Sequence, residues 1–158
     1  MTRILFPALA LGLLSTATAF AAPTADFVSQ EGKWSLNVKA SHHAAGDPIA
    51  KDSQIEASKD DGKALQFTQS LTTQKGEKLS VKFDGAYDGK MYSMRNGSSM
   101  MYQHISANAY RDAGKRLDGG SWKETCTFSQ DHTKLTCEGA DLTANGKSFP
   151  YVEVWEKS

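Results

Sequence analysis

The sequence of this 158-residue chain predicts an all-β domain, an antiparallel up-and-down barrel or strongly curved meander of about eight or nine strands. Three observations carry that expectation. Apolar residues alternate with polar ones at period two in several separate runs, Gly- and Asp-containing turn signals sit between the runs, and no run keeps the i, i+3, i+4, i+7 spacing of an amphipathic helix. A faint helical spacing occurs only near Asn108–Lys115.

The first run is Gly32 to Ala40, where Trp34, Leu36, Val38 and Ala40 alternate with Lys33, Ser35, Asn37 and Lys39. Successive strand side chains point to opposite faces, so this pattern sets one face in a core and the other in water. Ser41–Lys51, with Gly46-Asp47-Pro48, then reads as a longer loop. The alternation returns at Leu65, Phe67, Gln69 and Leu71, and at Leu79, Val81 and Phe83. It recurs at Thr125–Phe128, Leu135–Cys137 and Tyr151–Trp155. Between the runs, Asp61-Gly62, Asp88-Gly89 and Asn145-Gly146 favour tight hairpins, because Asn and Asp tolerate left-handed backbone and Gly has no Cβ to clash. Lys75-Gly76-Glu77 suits a slightly longer turn, and Gly119-Gly120 a turn or a bulge.

Two cysteines in an exported chain are expected to pair. If Gln130-Asp131-His132-Thr133 form a four-residue loop, Phe128 faces Leu135, Thr127 faces Thr136 and Cys126 faces Cys137. That position is a non-hydrogen-bonded pair, where Cα atoms approach to about 4.5 Å, the short end of the disulfide range. A bridge there would act as a staple of roughly 3 kcal/mol. No Cys-x-x-Cys or thiol-activating surrounding points to redox work.

Export is read from the N-terminus. Arg3 precedes an apolar run from Ile4 to Leu14, and Ala19-Phe20-Ala21 offers small residues at −3 and −1, so residues 1–21 are expected to be a signal peptide. The run is too short for a membrane span, which needs about 18 apolar residues, and no Cys follows the cut to accept a lipid. One domain, 22–158, is expected in the periplasm or outside the cell, with 22–31 as an unstructured lead-in and no membrane partner after cleavage. Removal of the leader takes away one charge, leaving 17 basic and 18 acidic side chains. A balance so near neutrality provides no field for nucleic acid, and no basic run makes a local patch.

Several segments together resemble a group of short exported bacterial proteins with a lipocalin-like β-barrel, mostly without an assigned function. They are Gly32-Lys33-Trp34-Ser35-Leu36-Asn37, the loop with Pro48, Tyr87-Asp88-Gly89-Lys90, Thr133-Lys134-Leu135-Thr136 and Val152-Glu153-Val154-Trp155-Glu156-Lys157. The resemblance implies that Trp34 sits in the first strand and closes one end of the barrel.

Function is less legible. His42, His43, His104 and His132 come with no Gly-x-Ser-x-Gly, His-Glu-x-x-His or phosphate loop, and the acidic residues fall mostly in turns, so no enzyme and no cofactor is expected. A barrel of this size is either filled by its own side chains or holds one small apolar or amphipathic ligand. The candidate ligand-facing residues are Trp34, Leu36, Phe67, Val81, Phe83 and Tyr102. An alternative is Cu(I) or another soft metal held by the Met-rich 91–104 segment, with Met94, Met100, Met101 and His104 as ligands. The simpler account is that methionines fill irregular core gaps. A third reading is a protein-binding or inhibitory module using exposed hairpin loops.

Overall fold

The computed structural model describes residues 27–45 and 50–158. The expected signal peptide and the Gly46-Asp47-Pro48 loop centre lie outside the described residues. Eleven strands run β1 (Gly32–Leu36), β2 (His42–His43), β3 (Ala50–Asp60), β4 (Ala64–Thr73), β5 (Lys78–Ala86), β6 (Tyr92–Ser93), β7 (Ser99–Ser106), β8 (Ala109–Lys115), β9 (Ser121–Phe128), β10 (Lys134–Leu142) and β11 (Ser148–Lys157). They form one antiparallel sheet in the order β5-β4-β3-β1-β11-β10-β9-β8-β7-β6, with β2 also on β11. The sheet curls until its ends meet: Asp88 bridges to Gln103, and Gly89 N–H donates to the Tyr102 carbonyl. The all-β up-and-down barrel is thus as expected, and the strand count exceeds eight or nine because of the two-residue strands β2 and β6.

Those differences have local causes. β1 stops at Leu36 rather than Ala40, because the Asn37 side chain accepts from Ala40 N–H and its carbonyl takes Ser41 N–H, turning the chain. Val38 is therefore exposed. The chain then resumes along β11 as β2, so β1 and β2 are one interrupted strand. β3 has few apolar residues, since its inward positions include Ser53, Ala57 and Asp60. The helical spacing near Asn108–Lys115 is in fact β8, whose inward face reads Tyr110, Asp112, Gly114. Gly114 is inward because the Trp122 indole lies over it, and a Cβ there would meet Trp122 Cη2 at 2.0 Å. Asp88-Gly89 turns the chain from β5 into the short β6 and does not join two full strands.

The β9–β10 hairpin has the expected register. Cys126 faces Cys137, their Cα atoms are 4.0 Å apart, and the sulfurs are bonded. Ser129 N–H donates to Lys134 C=O as the closing bond of the loop.

One end of the barrel, called the lower end, is closed. The stretch 22–31 is expected as an unstructured lead-in, but its described residues, 27–31, pack across this opening. Val28 N–H donates to the Ala107 carbonyl and Phe27 packs on His104. Buried Gln30 is held by its backbone N–H to Asp60, its amide to Tyr87 and its carbonyl oxygen under the Trp34 indole N–H. Trp34 closes the floor beside Phe128, and the Lys157 ammonium lies 5.3 Å from its ring centroid. Above this floor an aromatic layer of Phe67, Phe83, Tyr87, Tyr102 and Tyr110 fills the lower half in offset and edge-on contacts.

Candidate functional site

Burial along one face of single strands locates the open end. On β4 the inward Leu65 and Phe67 are 0% and 5% exposed, yet Gln69 and Leu71 on the same face are half-buried. On β5 the inward Phe83 is 2% exposed, Val81 is half-buried and Leu79 is 50% exposed. Inward apolar side chains thus become solvent-accessible toward the upper end of β4 and β5.

The wall across the barrel from β4 and β5 is polar. Pairing registers align Tyr102, Asp112, Glu124, Gly139, Tyr151 and His43 in one row across β7, β8, β9, β10, β11 and β2. Gly139 leaves the space that Glu124 crosses, since a Cβ there would meet the Glu124 Cβ at 2.6 Å. Glu124 thereby reaches the Tyr151 hydroxyl, which donates to it at 3.0 Å. Asp112 accepts from the Trp122 indole N–H at 2.9 Å, and its second oxygen lies 3.9 Å from Cys126 Sγ. In adjoining rows Glu153 accepts from Trp155 N–H at 3.2 Å and lies 3.5 Å from His43, which stacks on Tyr151. Arg116 pairs with Asp141 and covers the outer ring of Trp122.

Burial dominates the electrostatics of this wall. Desolvation pushes Asp112 up to about 6, against the hydrogen bonds from Glu124 and Trp122. It pushes Glu153 up to about 7, with the neighbouring Glu124 adding to the rise. Glu124 is raised well above the usual carboxylate range by desolvation and then by Asp112. Tyr151 is raised by desolvation and by Glu124. Burial disfavours the charged form of an acid, and a second carboxylate in contact disfavours it again.

The expectation that acids are solvated turn residues therefore fails for Asp112, Glu124 and Glu153. One signal was available in the sequence. Glu124 precedes the inward Cys126 by two residues, so it shares the inward face of its strand, and Asp112 shares the face of Tyr110.

Of the six proposed ligand-facing residues, Trp34, Phe67, Phe83 and Tyr102 are buried in the filled lower half. Phe67, Phe83 and Tyr102 are in mutual ring contact. Leu36 and Val81 are half-buried against that core. The candidate metal ligands are not brought to one face. Met94 and Met100 are buried core residues. Met101, next along β7 from Met100, turns to the other face, as strand geometry requires. His104 stacks on Tyr87 with ring centroids 3.9 Å apart. Glu124, Cys126 and Cys137 place possible ligand atoms within 4.8 Å of one another, but both sulfurs are spent in the disulfide.

No protein-family model and no curated protein sequence matches the chain. Among solved structures, wild-type fluorescent protein UnaG superposes with a TM-score of 0.49 at 12% identity, covering 82% of this chain and 97% of that one. Zebrafish ileal bile acid-binding protein complexed with cholic acid gives 0.49 at 15% identity, over 81% of this chain and 98% of that one. A de novo designed fluorescence-activating β-barrel gives 0.45 at 11% identity, over 81% and 93%. The barrel assignment for this chain rests on its own strand register.

Proposed function

We propose that this chain is an exported, non-enzymatic binding protein that takes a small apolar or amphipathic molecule into the upper half of its barrel. Export rests on the leader-like residues 1–21. The observation that carries the binding reading is the rise in exposure along the inward faces of β4 and β5, from buried Phe67 and Phe83 to accessible Leu71 and Leu79. A wall of that kind opposite Tyr151, His43 and Glu153 offers apolar surface to one part of a ligand and polar groups to another. The ligand-facing set shifts accordingly: Val81 stays, joined by Leu71 and Leu79, while Trp34, Phe67, Phe83 and Tyr102 form the floor beneath, with Leu36 half-buried against it.

A neutral, environment-sensitive apolar fluorophore tests this. Saturable one-to-one enhancement with the wild-type chain is expected, weakened at least tenfold by Leu79→Glu or Leu71→Glu. Leu142→Glu, an exposed change at the rim end of β10, should leave it unaltered. Absence of saturable binding, or equal loss in all three variants, overturns the reading.

A further inference from the structure

Asp112 and Glu124 are direct cross-strand partners on the inward face of β8 and β9, which places their side chains against each other. Asp112 is 3% exposed. One oxygen of Asp112 is taken by the Trp122 indole N–H and one of Glu124 by the Tyr151 hydroxyl. The remaining faces of the two carboxyls are turned to each other across the β8–β9 pair, and burial raises both. Two carboxylates have acceptors only, so facing carboxyls can bond to each other only with a proton on one of them. The cations on the same wall are engaged elsewhere, Arg116 with Asp141 and His43 with Glu153. Among the described residues, no lysine, arginine or histidine forms an ion pair with either carboxyl of the pair.

We infer that the Asp112–Glu124 pair is a proton-operated latch, in which one shared proton holds β8 to β9 on the upper wall and its loss lets that stretch of the barrel open. The groups facing the pair are Tyr102 on β7, Tyr110 on β8, Asp141 on β10, and Tyr151 and Glu153 on β11. His43 on β2, Arg116 after β8 and Tyr87 beyond β5 complete the surroundings. The tyrosines, raised by burial, stay neutral through the physiological range, so the charge that changes is the pair's own or that of Glu153. The latch is a property of the wall and operates with or without a ligand in the barrel.

The sign follows from proton counting. The closed pair binds a proton that an open, hydrated pair releases near pH 4, so opening is favoured as pH rises. Release of one proton makes the opening equilibrium rise up to tenfold for each pH unit until the closed pair itself titrates.

Hydrogen exchange of β8 and β9 amides, corrected for intrinsic rates, reads this on the full chain between pH 4 and 9. The expected wild-type result is a rise in opening of up to tenfold per pH unit that then levels off, with the locally exchanging amides of the β4–β5 hairpin unchanged. Asp112→Asn and Glu124→Gln should each abolish the slope, whereas Glu153→Gln should retain it. An unchanged slope in the first two variants, or its loss only in the third, overturns the latch. Carboxyl ¹³C titration of the wild-type chain is independent of variant folding. Two coupled steps at Asp112 and Glu124, at least one above pH 5.5, are expected, and independent ionisation of both below pH 5 refutes the proposal.

Discussion

Gly114→Ala is a one-methyl change that the structure makes costly through a specific neighbour. The new Cβ would sit 2.0 Å from Cη2 and 2.2 Å from Cζ2 of Trp122, the residue's direct partner on β9. The indole must swing away, and its N–H then loses the 2.9 Å bond to the buried Asp112. Overpacking of this kind costs about 1–3 kcal/mol. A hydrogen bond to a charged or charge-sharing group adds about 1.5–3 kcal/mol. Against these stands a gain of roughly 0.5–1 kcal/mol from replacing a strand glycine by alanine. The net loss should be about 2–4 kcal/mol by urea denaturation followed by far-UV circular dichroism. In a Trp122→Ala background the space is free, and the same Gly114→Ala change should be neutral or stabilising by up to about 1 kcal/mol. The sign reversal across this double-mutant cycle is the diagnostic. Equal costs in both backgrounds would refute the argument that Gly114 exists to seat Trp122.

Other expectations are simpler. Replacing both Cys126 and Cys137 by Ala opens the loop they close, 11 residues apart, and should cost about 3 kcal/mol. That loss is a fall of the order of 10 °C in Tm, and an unchanged Tm would remove the staple from the account. Global stability should decline as pH rises from about 4 to about 7. Asp112, raised to about 6, and Glu153, raised to about 7, hold protons in the folded chain that the unfolded chain has already lost. Denaturation midpoints that rise across this interval would contradict the burial of these acids. At the acid end Asp61 and Asp131, held near 2 chiefly by backbone and hydroxyl hydrogen bonds, act in the opposite sense, their contribution disappearing as pH falls toward 2. Gln30→Ala removes its side-chain bonds to Tyr87 and Tyr110 of the aromatic layer and should cost about 2–3 kcal/mol, with a change under 0.5 kcal/mol refuting a closing role for residues 27–31.

The barrel was legible wherever a strand carries large apolar residues at every second position, as in β4, β5, β10 and β11. The Cys126–Cys137 register was legible as well, because hairpin geometry propagates from one loop. Strands whose inward positions are small or polar were not. β3 hides its face behind Ser53, Ala57 and Asp60, and β8 hides behind Asp112 and Gly114. Both depend on partners off their own strand: Tyr87 and Gln30, far along the chain, satisfy Asp60, while Trp122 on the next strand fills the space over Gly114. The candidate site follows the same rule. Its apolar side was within reach, since Leu71, Leu79 and Val81 lie on recognised strands. Its acidic side was not, because a lone Glu or Asp in a strand reads as solvent-facing until inward parity is traced from a fixed point such as Cys126.

Native mass spectrometry of the protein purified from its own host tests the proposed ligand site most directly. A co-purifying small organic molecule, retained by the wild-type chain and reduced in the Leu79→Glu variant, is the predicted result. Repeated spectra of bare protein, together with no saturable uptake of an apolar probe, would contradict it and leave the barrel as a filled scaffold.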